Sequence, residues 1–270
     1  MKHTKFGDHR ICYNSKGKGP AVVLLHGFCE DSRIWEDFKV DLIEEKYRVI
    51  CIDLPGFGQS DVIEDISIAG MAEAVATVVK SLKLDKMLLI GHSMGGYVGL
   101  ALAEKYPALL SGLGLFHSQA REDSEEKKEG RRKSMDFILR QGSALYVKQT
   151  IPGLFAPKFI NSNTFLIEKL TFRASRYQPA GIVAALKAMK DRPDRSAVLK
   201  QIKCPVLFII GKLDAAIPEE NSLEQTHLPK VADIHILDKV GHMGMFEATK
   251  QTQGIVRQFA NFCQAYTYED

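Results

Sequence analysis

The chain has 270 residues, 45% of them hydrophobic and 26% charged, with a formal net charge of +3. That length suffices for one large domain with a substantial core, and the composition is ordinary for a soluble globular protein. The small charge, with no basic block interleaved with aromatics, argues against a nucleic-acid partner, and no apolar run reaches the roughly 18 residues of a membrane helix.

The first residues, MKHTKFGDHR, lack the apolar stretch of an export signal, so a cytoplasmic protein is expected. Five scattered cysteines (Cys12, Cys29, Cys51, Cys204, Cys263) form no C-x-x-C pair and read as buried free thiols of a reducing compartment. His3 and His9 fall in what reads as a loose terminus. RICYNSKGKGP is a candidate antiparallel hairpin strand. Short Val/Ile/Leu-rich runs then follow at 21–27 (AVVLLHG), 47–53 (YRVICID), 86–92 (KMLLIGH), 109–117, 204–211 and 232–238. Continuous rather than alternating apolarity predicts strands buried on both faces, as in a parallel sheet. Helical periods lie between them, at 68–82 with Met71, Val75, Val78, Val79 and Leu82 on one stripe, at 97–106, and at 254–262. The alternation predicts an α/β fold with a doubly wound, mostly parallel sheet.

The alternation breaks after Phe116. Residues 119–195 hold helix-like stretches and no clear strand, so a helical insertion is predicted between core segments 1–118 and 196–270. The insertion carries 16 Lys and Arg against 9 Asp and Glu. Such a basic surface attracts anionic substrates, although a solvated helix face such as EEKKEGRRK explains the charge equally simply. Seven aromatics lie in it: Phe137, Tyr146, Phe155, Phe159, Phe165, Phe172 and Tyr177. Of these, Phe155, Phe159 and Phe137 are carried as candidate walls of an apolar substrate pocket, against the plainer reading that they are core.

Residues 89–99, LIGHSMGGYVG, place Ser93 between a buried strand and a helix. A sharp strand-to-helix turn would collide with side chains two residues away on either side, and Gly91 and Gly95 remove them. The turn lifts the hydroxyl clear of the sheet above a helix amino end, whose unpaired N–H groups suit a developing negative charge. Serine needs a base. Of eight histidines, His242 in VGHMGMFE follows the last strand and so reaches the same carboxyl edge as Ser93. His235 lies inside a strand, His227 in a polar helix end, His92 points away from the site if Ser93 points into it, and His26 and His117 are supporting candidates at strand ends. The acid is Asp214 in GKLDAAIP, with Asp238 as runner-up. Asp53 belongs to another loop, and the strand ending at His117 offers no carboxylate before Glu122. Backbone N–H groups of Phe28, in HGFCED, and of Met94 are the candidate oxyanion donors.

The strand ending in HGF, DLPGFGQSD, GHSMGG, GKLDAAIP and GHMGMFE together resemble, in order and spacing, the α/β-hydrolase superfamily. DLPGFGQSD lacks the Lys-Ser/Thr of a phosphate loop and is similar to the family's turn after the second parallel strand. The resemblance implies a Ser93–Asp214–His242 triad, Phe28 and Met94 as oxyanion donors, and a helical cap at 119–195. It also implies a hydrolase of small carboxylic esters, no cofactor and a small-molecule substrate. Serine at the nucleophile position argues against members resembling dehalogenases and epoxide hydrolases, which use Asp. C–C bond hydrolysis or lyase chemistry on an anionic metabolite, and a ligand-sensing receptor with little turnover, remain as alternatives. No cluster has metal-ligand spacing, and nothing in the sequence sets an oligomeric state.

Overall fold

A computed structural model describes residues 1–266. Among them eight strands form one sheet in the order β1-β2-β4-β3-β5-β6-β7-β8. They are β1 (Lys2–Phe6), β2 (His9–Lys16), β3 (Ala21–Leu25), β4 (Arg48–Ile52), β5 (Met87–His92), β6 (Leu110–Phe116), β7 (Val206–Gly211) and β8 (Ala232–Leu237). From β4 through β8 all pairs are parallel, while β1–β2 and β2–β4 are antiparallel. The six apolar runs of the sequence are β3 to β8. The amino terminus is not loose as the sequence suggested. His3 sits in β1 and His9 in β2, joined by a two-residue Gly7-Asp8 turn in which Gly7 has a φ of 59°.

Strand geometry explains the double winding. Leu88 and Leu89 are successive, so they face opposite sides of the sheet. On one side Gly112, beside Leu88, abuts Cys263 and Phe259 of the carboxyl-terminal helix; on the other Leu89 and Leu113 meet Gly99. Each face is therefore covered by helices, and β3, β5 and β7 are buried along their whole length. β8 is the exception. It is an edge strand whose inner and outer residues alternate, with Ile234 and Ile236 exposed.

The helices before the insertion are α1 (Lys39–Glu44), α2 (Ile68–Ser81) and α3 (Met94–Lys105). Ser67 starts α2 by accepting a hydrogen bond from the Gly70 N–H at 3.0 Å, and Met71, Val75, Val78 and Val79 of the predicted stripe are buried. Burying each such valine stabilises the fold by roughly 1.5–3 kcal/mol. Between β6 and β7 the chain is helical: α4 (Glu125–Gln141), α5 (Ser143–Thr150), α6 (Pro157–Ser162), α7 (Thr164–Ala174), α8 (Pro179–Lys190) and α9 (Ser196–Gln201). Then come α10 (Glu219–Leu223), α11 (Gly244–Glu247) and α12 (Thr249–Ala265). Among the described residues no helix is long and apolar enough to cross a membrane, no acidic, His or Cys cluster could hold a metal, and the five cysteines are free.

Candidate active site

Ser93 connects β5 to α3 with φ 50° and ψ −114°, a conformation side chains resist. The surroundings enforce it. The Ser93 N–H donates to the Phe116 carbonyl at 2.9 Å, and the Ser118 hydroxyl donates to the Ser93 carbonyl at 2.8 Å. A Cβ on residue 91 would lie 2.3 Å from the Gly95 oxygen, and one on residue 95 would lie 2.7 Å from the Leu25 oxygen. Both glycines are required by contact, as the motif predicted. Met94 is the first residue of α3, so its N–H has no partner within the helix. Among the described residues, neither that N–H nor that of Phe28 is engaged in a hydrogen bond.

His242 follows β8 and is 3% exposed. Its Nδ1 lies 2.7 Å from Asp214 Oδ2. The other Asp214 oxygen accepts the Ala216 and Ile217 N–H groups at 2.8 and 2.9 Å. Burial alone would raise the Asp214 pKa. The charge of and hydrogen bond from His242, then His117 and the Ile217 N–H, outweigh it and hold the acid at about 2. Because the carboxylate can only accept, Nδ1 carries the proton and Nε2 is left to act as a base. Asp238, the runner-up, is an exposed partner of Lys212 at 2.6 Å.

Ser93 and His242 line one cavity of about 240 Å³, also bounded by Phe28, Tyr146, Leu154 and Ile217. Among the described residues no hydrogen bond joins the Ser93 hydroxyl to the His242 ring, although both face the same cavity. Phe137, Phe155 and Phe159 do not line this cavity. Phe155 stacks on Phe159 at 5.4 Å, with the planes 5° apart, and packs beside Phe246. Helical spacing produced internal packing there, and the phenyl and phenol rings that line the cavity are those of Phe28, Tyr97 and Tyr146.

Three supporting residues were not legible as such. His92 is fully buried and turned toward the back of the site, its Nε2 donating to the His242 carbonyl at 2.8 Å. Its Nδ1 lies 2.9 Å from Glu30 Oε2, and the same oxygen accepts the Gly27 N–H at 2.6 Å. Both ring nitrogens thus face acceptors, which favours the imidazolium. Burial opposes that charge, but the Glu30 carboxylate wins, so the His92 pKa is raised and that of Glu30 lowered. Glu247 accepts the N–H groups of Gly241 and Met243, on either side of His242, at 3.0 and 2.9 Å. It also accepts that of Ala156 from the insertion at 2.9 Å.

The remaining strand-end histidines differ in role. His26 accepts the Leu54 N–H through Nε2 and donates through Nδ1 to the Gly27 carbonyl, so it is neutral and structural. His117 is fully buried at φ 48°, and its Nδ1 approaches Asp214 only to 3.6 Å. Burial drives its pKa well below the usual value, so it is neutral beside the acid.

A family model for the alpha/beta hydrolase fold matches residues 20–116. Over 93% of the chain and 90% of the relative, the sequence is 29% identical to a 2-hydroxy-6-oxononadienedioate/2-hydroxy-6-oxononatrienedioate hydrolase of Burkholderia vietnamiensis. Over 92% of the chain and 94% of the relative, it is 30% identical to a putative 2-succinyl-6-hydroxy-2,4-cyclohexadiene-1-carboxylate synthase of Bacillus subtilis. A thermophilic esterase from Thermogutta terrifontis, solved with malate bound, superposes with a TM-score of 0.90 at 32% identity, covering 94% of both chains.

Proposed function

The chain belongs to the α/β-hydrolase family, and from that premise we propose that it is a serine hydrolase cleaving a small carboxylic ester through Ser93, His242 and Asp214. The observation that carries this reading is the 2.7 Å pairing of His242 Nδ1 with Asp214. It leaves the opposite nitrogen of that ring as a base in the cavity that holds a strained Ser93. In the reaction His242 takes the serine proton as Ser93 attacks the ester carbonyl. The N–H groups of Phe28 and Met94 receive the negative charge that develops on the carbonyl oxygen. His242 then protonates the departing alcohol, and afterwards activates the water that releases the acid. Residues 119–195 serve as a cap that walls this cavity from above, and no cofactor takes part. Five reduced cysteines support work in a reducing compartment such as the cytoplasm.

A second reading is hydrolysis of a carbon–carbon bond in an anionic metabolite, supported by the Burkholderia relative's described activity. The same serine and histidine serve it. A receptor with little turnover differs from both in kinetics. A fluorophosphonate probe mapped by mass spectrometry should label Ser93, and short p-nitrophenyl esters should be turned over repeatedly. A label elsewhere, or a single slow turnover with a retained adduct, refutes the hydrolase reading.

A further inference from the structure

The cavity above Ser93 is apolar on its sides but not on its roof. Lys127 and Arg131, four residues apart and so on one face of α4, both line it. Each is held in place. Lys127 Nζ donates to the Ala216 carbonyl at 2.8 Å, in the loop that carries Asp214. Arg131 spends its Nε on Asp123, which is fully buried, and the Arg131 side chain is only 13% exposed. Arg192 lies 2.8 Å from the second Asp123 oxygen, an ion pair by distance without hydrogen-bond geometry. One carboxylate therefore faces two guanidinium groups and, nearby, an ammonium, and these four side chains sum to a net charge of +2.

Among the described residues that line the cavity, none offsets that excess. Glu30 is neutralised by His92, and Asp214 is sealed behind His242 and the two amides it accepts. Arg131 is largely out of water and shares its one counter-ion, Asp123, with Arg192, so a ligand that brings further negative charge relieves the cost of holding these cations together. The donors left over, two nitrogens of a fixed planar fork and two N–H bonds of an ammonium, match the two oxygens of a carboxylate.

We propose that Lys127 and Arg131 form an anion subsite, and that the substrate carries a free carboxylate a few bonds from the carbonyl that Ser93 attacks. This rests on the serine-hydrolase reading and narrows it to half-esters or related acids. Monoethyl succinate and ethyl 4-methylpentanoate have the same shape, with an isopropyl group in place of the carboxylate, so they isolate the charge. Charge-assisted hydrogen bonds predict that kcat/KM for the half-ester exceeds that for the neutral ester by about 10- to 100-fold. Lys127→Gln should lower that ratio toward one, chiefly through KM for the half-ester, and Lys127→Arg should keep it. Lys127→Gln leaves the buried Asp123 cluster untouched. Arg131→Gln is the second variant and should also lower the ratio. Equal kcat/KM for the two esters, or a preference that survives both substitutions, overturns the subsite while Ser93 labelling keeps the hydrolase reading. Absence of turnover for both esters with no label on Ser93 overturns both.

Discussion

Glu30→Gln is the most informative single change, because one oxygen of Glu30 does two tasks. Oε2 accepts the Gly27 N–H at 2.6 Å and faces His92 Nδ1 at 2.9 Å. A glutamine of the same shape puts either an oxygen or an NH2 at that point. With the oxygen, Gly27 stays satisfied, but His92 must remain a buried imidazolium without a counter-ion. With the NH2, His92 is neutral and satisfied, but the Gly27 N–H is orphaned. The lost attraction between charge centres about 4 Å apart is roughly 4 kcal/mol at an effective dielectric of about 20. Leaving one buried polar group unsatisfied costs about 1–3 kcal/mol. The ring takes the cheaper route and gives up its proton, so we expect a loss of about 2 kcal/mol in urea unfolding at pH 7. The sign with pH follows from the raised His92 pKa. Its stabilising contribution is full below about pH 6.5, the unfolded value, and fades as pH rises through the folded pKa. The deficit of the variant relative to wild type should therefore be larger at pH 6 than at pH 9. Esterase kcat/KM should fall about tenfold or more, since the variant loosens the turn before Phe28 and the anchor on the His242 carbonyl. A Glu30→Gln protein within 0.5 kcal/mol of wild type, with unchanged kcat/KM, would refute the argument.

The other expectations concern Ser93 and the two candidate acids, Asp214 and Asp238. Ser93→Gly relieves a φ of 50° and should raise stability by about 1 kcal/mol while abolishing ester turnover, checked by thermal unfolding beside the activity assay. A variant that melts earlier than wild type removes strain from the account of the elbow. Asp214→Asn should cost roughly 10⁴-fold in kcat by allowing the wrong His242 tautomer, whereas Asp238→Asn, at an exposed ion pair, should stay within about twofold. The reverse order in the pure proteins exchanges their roles. Asp214, at about 2 when folded against an ordinary 3.8, adds stability that is present above pH 4 and lost as pH falls toward 2. That lost increment is about 2 kcal/mol. Acid titrations of unfolding free energy should show a shallower limb in Asp214→Asn.

The elements most legible in the sequence are those whose physics is local. Continuous Val/Ile/Leu runs can be satisfied only between two helical layers, so β3 to β7 followed from pattern alone. The glycines at 91 and 95 mark a contact that no side chain survives, which made Ser93 legible too. Elsewhere pattern was less decisive. Phe155 and Phe159 stand in the sequence as candidate pocket walls against the plainer reading of helical spacing as core, and it is the plainer reading that the structure follows, because the two rings stack on one another and do not line the cavity. The first residues carry no strong strand period, and their β1–β2 pairing is fixed by the Gly7-Asp8 turn and by β4, both read only after folding.

Glu30 and Glu247 show why the supports of the site stayed hidden. A carboxylate in a turn reads as surface, because burial of such a charge is unfavourable unless several donors converge on it. Here they do converge, from segments 91 and 62 residues away in sequence for the pairs Ala156–Glu247 and Glu30–His92. The consequence reaches His242. Its N–H donates to the Leu154 carbonyl at 2.8 Å, its carbonyl accepts from His92, and its ring is tied to Asp214. One of these three ties comes from the helical insertion and two from the core. Displacing the insertion would therefore release His242 from one of these three anchors and leave its carbonyl and ring tied to the core.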